Sequence, residues 1–420
     1  MLAPIPAPSR SVKHWDEALA LMRERSTDLR GAEAGVERAS GRWRQALAAL
    51  LPDARLQAGV AHDLLNPNTP VGVAPGAAGE GRTVTTPTGT LNATLSQTVV
   101  DLSAWRGLSS ARHAEAGAIA SLQDTRRRLV LGLARALVAT VAAERAAELN
   151  RVGLRRALER AALTRRAFEL GAGNQLDVVR VQQDVAVARG ALIAGDERLR
   201  QTREALGLSL GLDLPIGVDP TFDLRGLVER TREDCAPLER PDARPDLVAA
   251  RAQVEAARDS RRQATAGYLP TLELGSTLTG VSTDPGLGRF ATWNVSAVLS
   301  VPLWEGGGRA GLVRERAGLE AQAEATLEAA RRDVAVEVAR ARRSVEVAES
   351  LVRTSMESRD LAERTDRLTR RSFETGRGSS LELVQSGAAL RQAELDLVLR
   401  EFERVQARLD AFLTQARCDT

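Results

Sequence analysis

The sequence predicts a mostly helical chain built as a two-fold internal repeat. Each repeat carries a long coiled-coil helical hairpin and two β-strands, giving four strands per chain. Three observations predict this. First, RRAFELGAGNQLDVV at 165–179 returns as RRSFETGRGSSLELV at 370–384. Arg166, Phe168, Glu169, Gly171, Gly173 and Leu176 fall on Arg371, Phe373, Glu374, Gly376, Gly378 and Leu381, and Asp177 on Glu382. Second, alanine, leucine, arginine and glutamate dominate and aromatics make up only 3% of the 420 residues, which favours helices over a thick aromatic core. Third, residues 106–170 and 309–375 contain no proline. At ~1.5 Å per residue each tract would run to roughly 95–100 Å, longer than a globular domain needs.

The duplication extends beyond the recurring phrase. LSQTVVDLSAWR (95–106) lies over LSVPLWEGGGRA (299–310), DLRGAEAGVERA (28–39) over DLVAARAQVEAA (246–257), and Pro52 over Pro270. One module of roughly 200 residues is therefore written twice, with insertions confined to the connections. The expected organisation is a first repeat over 1–206, a linker or equatorial segment over 207–243, a second repeat over 244–415 and a short tail over 416–420.

Each repeat opens with a helix, expected over about 15–50 and again over 244–266. A strand follows, in which Leu56, Ala58, Val60 and Leu64 alternate with Arg55, Gln57, Gly59 and Asp63. After a Pro/Gly-rich loop (66–87), Leu91, Ala93, Leu95 and Val99 alternate with Asn92, Thr94, Ser96 and Thr98. The second repeat sets Leu272, Leu274 and Leu278 against Glu273, Thr277 and Thr279. It then sets Trp293, Val295, Ala297, Leu299 and Val301 against Asn294, Ser296, Val298 and Ser300, with Val298 the exception. Period-two alternation marks strands with one apolar and one polar face.

The long helices come next, and return helices are expected over 174–206 and 379–414. Val178, Val181, Val185, Ala188 and Leu192 step by three and four, as do Leu395, Val398, Phe402, Val405, Leu409 and Phe412. These are heptad stripes that need partner helices. Between each pair of helices lies a tight tip. Gly171 and Gly376 suit the positive φ that ends a helix. Asn174 and Ser379 suit N-caps with an acid three residues on: Ser379–Glu382 is a capping box and Asn174–Asp177 resembles one. Capping alone accounts for both acids, and a functional role does not exclude it.

The strands, about 10–12 residues each, have the length of membrane-spanning β-strands. Four cannot close a barrel, for which about eight are needed, and two isolated hairpins leave open edges. Either they form a small sheet in a soluble, elongated coiled-coil scaffold, or several chains pool them. Three chains would supply twelve. Trp105, Tyr268, Phe290, Trp293 and Trp304 near the strand ends form a sparse aromatic girdle.

Net charge is +3, from 58 basic and 55 acidic residues interspersed along the chain, so no nucleic-acid patch is expected. Lys13 is the only lysine, which excludes a Walker P-loop. His14, His62 and His113 lie apart, without metal-ligand spacing. Gly306–Gly308 reads as a flexible strand-to-helix junction rather than a phosphate loop. No catalytic constellation, metal or cofactor is expected, and an enzyme is not. Cys235 and Cys418 define no metal or disulfide framework, and whether they pair stays open. MLAPIPAPSRSVKHW has no apolar h-region, and no 18-residue apolar run exists. The plain expectation from that segment is a cytoplasmic protein; a trimmed or misplaced start is the other.

Residues 12–415 resemble the TolC-type outer-membrane efflux proteins. The likeness rests on VKHWDEALALMRERSTDLRGAEAGVERA, on LP before each first strand, on SQTVVD and SVPLWEGGGRA before the long helices, and on the two F-E-x-G-x-G-x-x-L-[DE] tips. Each motif is weak alone; their duplicated order is specific. The resemblance implies a homotrimer whose twelve-stranded β-barrel sits in outer-membrane lipid and joins a periplasmic α-helical barrel. It implies a passive exit duct for efflux or type I secretion, in a Gram-negative outer membrane with a periplasmic extension. The tips would be opened by a periplasmic adaptor (membrane fusion) protein and an inner-membrane pump of RND, ABC or MFS type. It would place Glu382 and Asp177 at the pore constriction. Gln385 stands where some members carry a second acid, and Arg377 stands next to the position of a gate-locking arginine in some members. Gly171, Ala172, Gly173, Gly376, Arg377 and Gly378 would meet the adaptor. Since the family is exported, the start reads as a mature form or a mis-called start codon. No cysteine near it supports a lipid anchor.

Overall fold

The computed structural model describes residues 5–62, 64–65, 87–171, 173–224, 226–283 and 289–418. In chain order the elements are β1 (Arg10–Val12), α1 (Trp15–Arg25), α2 (Thr27–Ala48), β2 (Asp53–Ala61), β3 (Thr88–Val100), α3 (Leu102–Glu169), α4 (Gln175–Ser209) and β4 (Ile216–Val218). Then follow α5 (Leu227–Asp234), β5 (Cys235–Pro237), α6 (Pro245–Ala266), β6 (Thr271–Thr283), β7 (Arg289–Ser300), α7 (Gly308–Glu374), α8 (Ser380–Leu413) and β8 (Ala416–Cys418). The chain is mostly helical, and α3 and α7 are unbroken over 68 and 67 residues. With no proline inside them and few glycines, nothing interrupts the backbone ladder.

Two expectations about these elements need correction, and the open question of the two cysteines is answered. The single helix over 15–50 is two helices. Ser26 takes an extended backbone, and its Oγ accepts from the Leu29 N–H at 3.2 Å, so it ends α1 and caps α2. The first strand stops at Ala61, leaving Leu64 in an exposed bend; the loop expected over 66–87 lies outside the described residues apart from Pro87. Cys235 and Cys418 form a disulfide.

Contacts divide the chain into two units. One comprises Ala34–Ile119 and Ala249–Ala329, and holds a four-stranded antiparallel sheet in the order β2-β3-β6-β7. The central β3–β6 pairing joins the two repeats, from Thr88 opposite Thr283 to Val100 opposite Leu272, with a bulge between Thr98 and Val100. Strands β2 and β7 are the edges.

The other unit comprises Met1–Glu33, Ala120–Val248 and Ala330–Thr420. Its main core gathers Trp15, Leu133, Leu137, Leu206, Leu210, Ile216, Leu227, Leu409 and Leu413, all fully buried. Trp15 Nε1 donates to Asp234 Oδ2 at 2.7 Å. The segment between the repeats contributes Leu210, Ile216, Leu227 and Cys235 to this core. Its β4 pairs in parallel with β1, and its β5 pairs antiparallel with β8, where Cys235 faces Cys418. Neither pairing is visible in a short, non-alternating sequence. Two buried arginines tie down the end of α8: Arg127 donates to the Leu413 carbonyl and Arg244 to the Thr414 carbonyl, both at 3.4 Å. Arg244 also holds Asp246 at 2.7 Å.

The stripe on α4 is buried as expected, from Val178 to Leu192. On α8 the expected Leu409 is fully buried, and Phe402, Val405 and Phe412 lie partly buried against the main core. Leu383, Leu390 and Ala393 carry a further buried face near the tip. The buried Ser386 and Gly387 continue that face without looking apolar in the sequence.

Candidate functional site: an unpartnered sheet face and two glycine tips

Pairing registers assign every side chain of the sheet to a face, because residues opposite one another in a ladder share one. Leu56 pairs with Ala93, Ala93 with Leu278, and Leu278 with Trp293. Their face also carries Val60, Leu91, Leu95, Leu274, Val295 and Leu299. Among the described residues nothing covers it: Leu56 is 70% exposed, Val60 82%, and Trp293 and Val295 73% each. Of the polar residues on it, Ser276 and Gln97 are hydrogen-bonded within the chain. Ser276 Oγ accepts from Trp293 Nε1 at 2.9 Å, and Gln97 Nε2 donates to the carbonyls of Leu50 and Thr98 at 2.8 Å each. The opposite face carries Arg55, Gln57, Asn92, Thr94, Ser96, Thr277, Thr279, Asn294 and Ser296. Val298 stays on the polar face, as its position in the alternation requires. Past the strands, Trp105, Tyr268 and Trp304 are 59%, 48% and 84% exposed. Gly306 and Gly307, both at positive φ, form the junction into α7. Among the described residues, no helix is long and apolar enough to cross a membrane.

Such a face is stable where the medium is itself apolar. Contiguous exposed apolar surface of this kind marks a lipid or partner contact. Its satisfied polar groups fit a medium with no water to hydrogen-bond them.

The tips lie in the other unit. Gly171 and Gly376 have φ of 74° and 73° and end α3 and α7. The second glycine of the second tip has a separate cause. A Cβ on Gly378 would stand 2.9 Å from the Phe373 nitrogen, whereas one on Gly173 would stand 3.4 Å from the Phe168 nitrogen, close to ordinary contact. At the second tip one glycine serves the turn and one the fold-back over the helix end. Both capping boxes are complete. Asn174 Oδ1 accepts from the Asp177 N–H at 2.9 Å, and Asp177 Oδ2 from the Asn174 N–H at 3.5 Å. Ser379 Oγ accepts from the Glu382 N–H, and Glu382 Oε2 from the Ser379 N–H, both at 3.2 Å.

The two acids differ in their surroundings. Asp177 is largely covered, lies 3.5 Å from Arg180 Nη1, and accepts from Ser380 Oγ, so the tips of the two repeats touch. Glu382 is exposed, as are Gln385, Gly171, Gly173, Gly376 and Arg377; Gly378 is half-buried. Ala172 lies outside the described residues. No group of histidine, cysteine and acidic side chains able to hold a metal occurs among the described residues.

The profile of the family described as "Outer membrane efflux protein" matches residues 18–212 and 241–411. No curated protein matches the chain. Among solved structures it is similar to the outer membrane protein VceC from Vibrio cholerae, at 17% identity and TM-score 0.79 over 95% of each chain. It is similar to a membrane protein from Pseudomonas aeruginosa at 18% identity and TM-score 0.80, covering 95% of this chain and 93% of that one. It is also similar to the open state of the MtrE outer membrane channel of Neisseria gonorrhoeae, at 17% identity and TM-score 0.76, covering 95% and 88%. At these identities the structures establish the fold. The family profile, spanning more than half of the chain, establishes that it belongs to the outer membrane efflux protein family.

Proposed function

We propose that the chain is the exit duct of an efflux or type I secretion system, a passive channel through the outer membrane and periplasm of a Gram-negative cell. Three copies pool their four-stranded sheets into one twelve-stranded barrel. The face of Leu56, Leu278 and Trp293 meets lipid, and the face of Asn92, Thr94, Thr277 and Thr279 lines the lumen. The single observation that carries this reading is that exposed apolar face, alternating with a polar one on a sheet with two open edges. A soluble coiled-coil scaffold would leave the same face in water.

The helical tips are the periplasmic gate. Glu382 is the better candidate for the constriction, since Arg180 and Ser380 already engage Asp177. Three copies of Glu382, with Gln385 one turn further on, would favour cations over anions. A periplasmic adaptor protein docks on Gly171, Gly173, Gly376, Arg377 and Gly378. It brings an inner-membrane pump, which supplies the energy and selects the cargo.

The test is single-channel conductance in a planar bilayer, with protein recovered from the outer membrane in detergent. Discrete, cation-selective steps from a trimer-sized particle are expected. A particle that stays soluble without detergent and conducts nothing would replace the duct with the scaffold.

A further inference from the structure

Cys235 and Cys418 are the only cysteines of the chain, and they are joined across 183 residues that hold the whole second repeat. Both are sealed in the main core. Cys235 is 1% exposed and Cys418 0%, in one cluster with Val12, Trp15, Leu227, Leu413 and Ala416. Three distant stretches of chain build that enclosure. Trp15 of α1 is hydrogen-bonded to Asp234, the neighbour of Cys235. Strands β5 and β8 pair around the bond, and the Leu238 N–H donates to the Gln415 carbonyl at 2.8 Å. Arg127 and Arg244 hold the carbonyls of Leu413 and Thr414 just before β8. A disulfide forms by exchange, in which a thiolate attacks a sulfur of a donor disulfide, so the donor must reach the sulfur. No second protein reaches a sulfur enclosed in this way.

We infer that the bond is made before this core closes, by a protein that donates a disulfide to a chain still open between α5 and α8, in an oxidising compartment. Oxidation then precedes folding of this unit, and a chain that folds as a dithiol is trapped as one. The step balances. One cysteine thiolate attacks the donor's disulfide, forming a mixed disulfide and releasing one donor thiolate. The other cysteine thiolate attacks the chain's sulfur in that mixed disulfide, closing Cys235–Cys418 and releasing the second donor thiolate. Two electrons and two protons pass from the chain to the donor, which leaves as a dithiol. Because the bond spans the second repeat, the step follows delivery of that whole repeat. Two cysteines allow a single intramolecular pair, so the reaction needs an oxidant and no isomerase; its one wrong product is a bond between copies. Cytosolic thiols are kept reduced, so the donor acts outside the cytoplasm. This agrees with the membrane reading without using its sheet or its tips, and it stands if the duct reading fails.

The experiment compares two forms of the reduced full chain, each given glutathione disulfide as the donor. One form is unfolded in urea. The other is refolded in detergent under dithiothreitol, freed of it by gel filtration, and checked for folding by circular dichroism and protease resistance. Samples are quenched in acid, denatured and alkylated with N-ethylmaleimide, and the remaining thiols are counted by mass. A cysteine peptide in each buffer corrects for the medium. The refolded chain is expected to lose its thiols at least about a hundredfold more slowly than the unfolded one. Equal corrected rates would mean that the bond forms inside the closed core, and the proposed order would fall. If the reduced chain does not fold at all, oxidation necessarily comes first and the order stands. A second measurement reads the compartment. The same chain is produced in one host with and without an export signal, and its thiols are trapped in acid at lysis. An oxidised pair is expected with the signal and free thiols without it. An oxidised pair without the signal, or a reduced one with it, overturns the compartment.

Discussion

Replacing Leu278 by arginine separates a lipid-facing sheet from a water-facing one. Leu278 is the eighth of thirteen residues of β6, near the middle of the strand, and pairs with Ala93 and Trp293 on the apolar face. In a membrane barrel an arginine near the midplane costs about 2–4 kcal/mol per chain, or roughly 6–12 kcal/mol for three copies. That is comparable to the whole stability of an ordinary domain, about 5–15 kcal/mol. In a soluble scaffold the same site is 45% exposed surface, where a substitution stays within about 0.5 kcal/mol. Thr277→Arg, one residue earlier on the polar face, is the control and should cost little in either setting. The assay is folding into phospholipid vesicles, followed by the fraction of assembled protein and its unfolding in urea. Leu278→Arg should fail to assemble while Thr277→Arg assembles. If the two variants behave alike, assembled or not, the assignment of faces to lipid and lumen is refuted.

Four further outcomes are expected. Removing the disulfide with Cys235→Ser and Cys418→Ser releases a closure across 183 residues, for which chain entropy gives at most about 5 kcal/mol. Melting should fall and amide exchange in β5 and β8 rise; unchanged melting would mean that the strand pairing holds itself. Ser379→Ala should cost about 1 kcal/mol at the second tip through loss of its cap, read as faster exchange confined to the first turn of α8. Glu382→Ala should lower the cation preference of an open pore, and unchanged ion selectivity would leave that residue a cap only. Burial pushes the Asp246 carboxyl up, but Arg244, with help from Arg127 and the Leu247 N–H, outweighs it and holds the group below the ordinary carboxylate range. A carboxyl depressed by folding stabilises above its unfolded pKa of about 3.9, and that contribution is lost as pH falls through the folded value. Melting of the unit containing Asp246 should therefore weaken below about pH 4, and Asp246→Asn should flatten that slope.

What the sequence made legible follows from which physical signals are local. Strand faces depend on a period of two and the tips on caps and glycines within six residues, so both could be read directly. The disulfide, the β1–β4 and β5–β8 pairs and the buried Trp15 could not, because each joins residues far apart in the chain. The second glycine of the second tip was visible as a letter but not as a cause; its reason is the approach of Gly378 to the Phe373 nitrogen. The buried face of α8 near the tip went unread for a related reason. Gly387 is buried without being apolar, because the Arg160 guanidinium fills the space that a larger side chain would take.

In the proposed trimer, the sheet gives the reason several copies are needed. Its four antiparallel strands end on β2 and β7, which run in opposite directions. Apposing β7 of one copy to β2 of the next therefore continues the same antiparallel ladder. Each added copy keeps the strand count even and hides two edges that would otherwise pair promiscuously. Closure also makes the distinction between faces topological, since the outside of a ring is one surface and the lumen another. The alternation of Leu56, Leu278 and Trp293 with Gln57, Thr277 and Asn294 then needs no covering element within the chain. A scaffold in water would need such an element, and among the described residues none covers the apolar face. The absence of a lid and the openness of the edges are thus two deficits that one operation removes, and a membrane is the medium in which removing them leaves the apolar face stable.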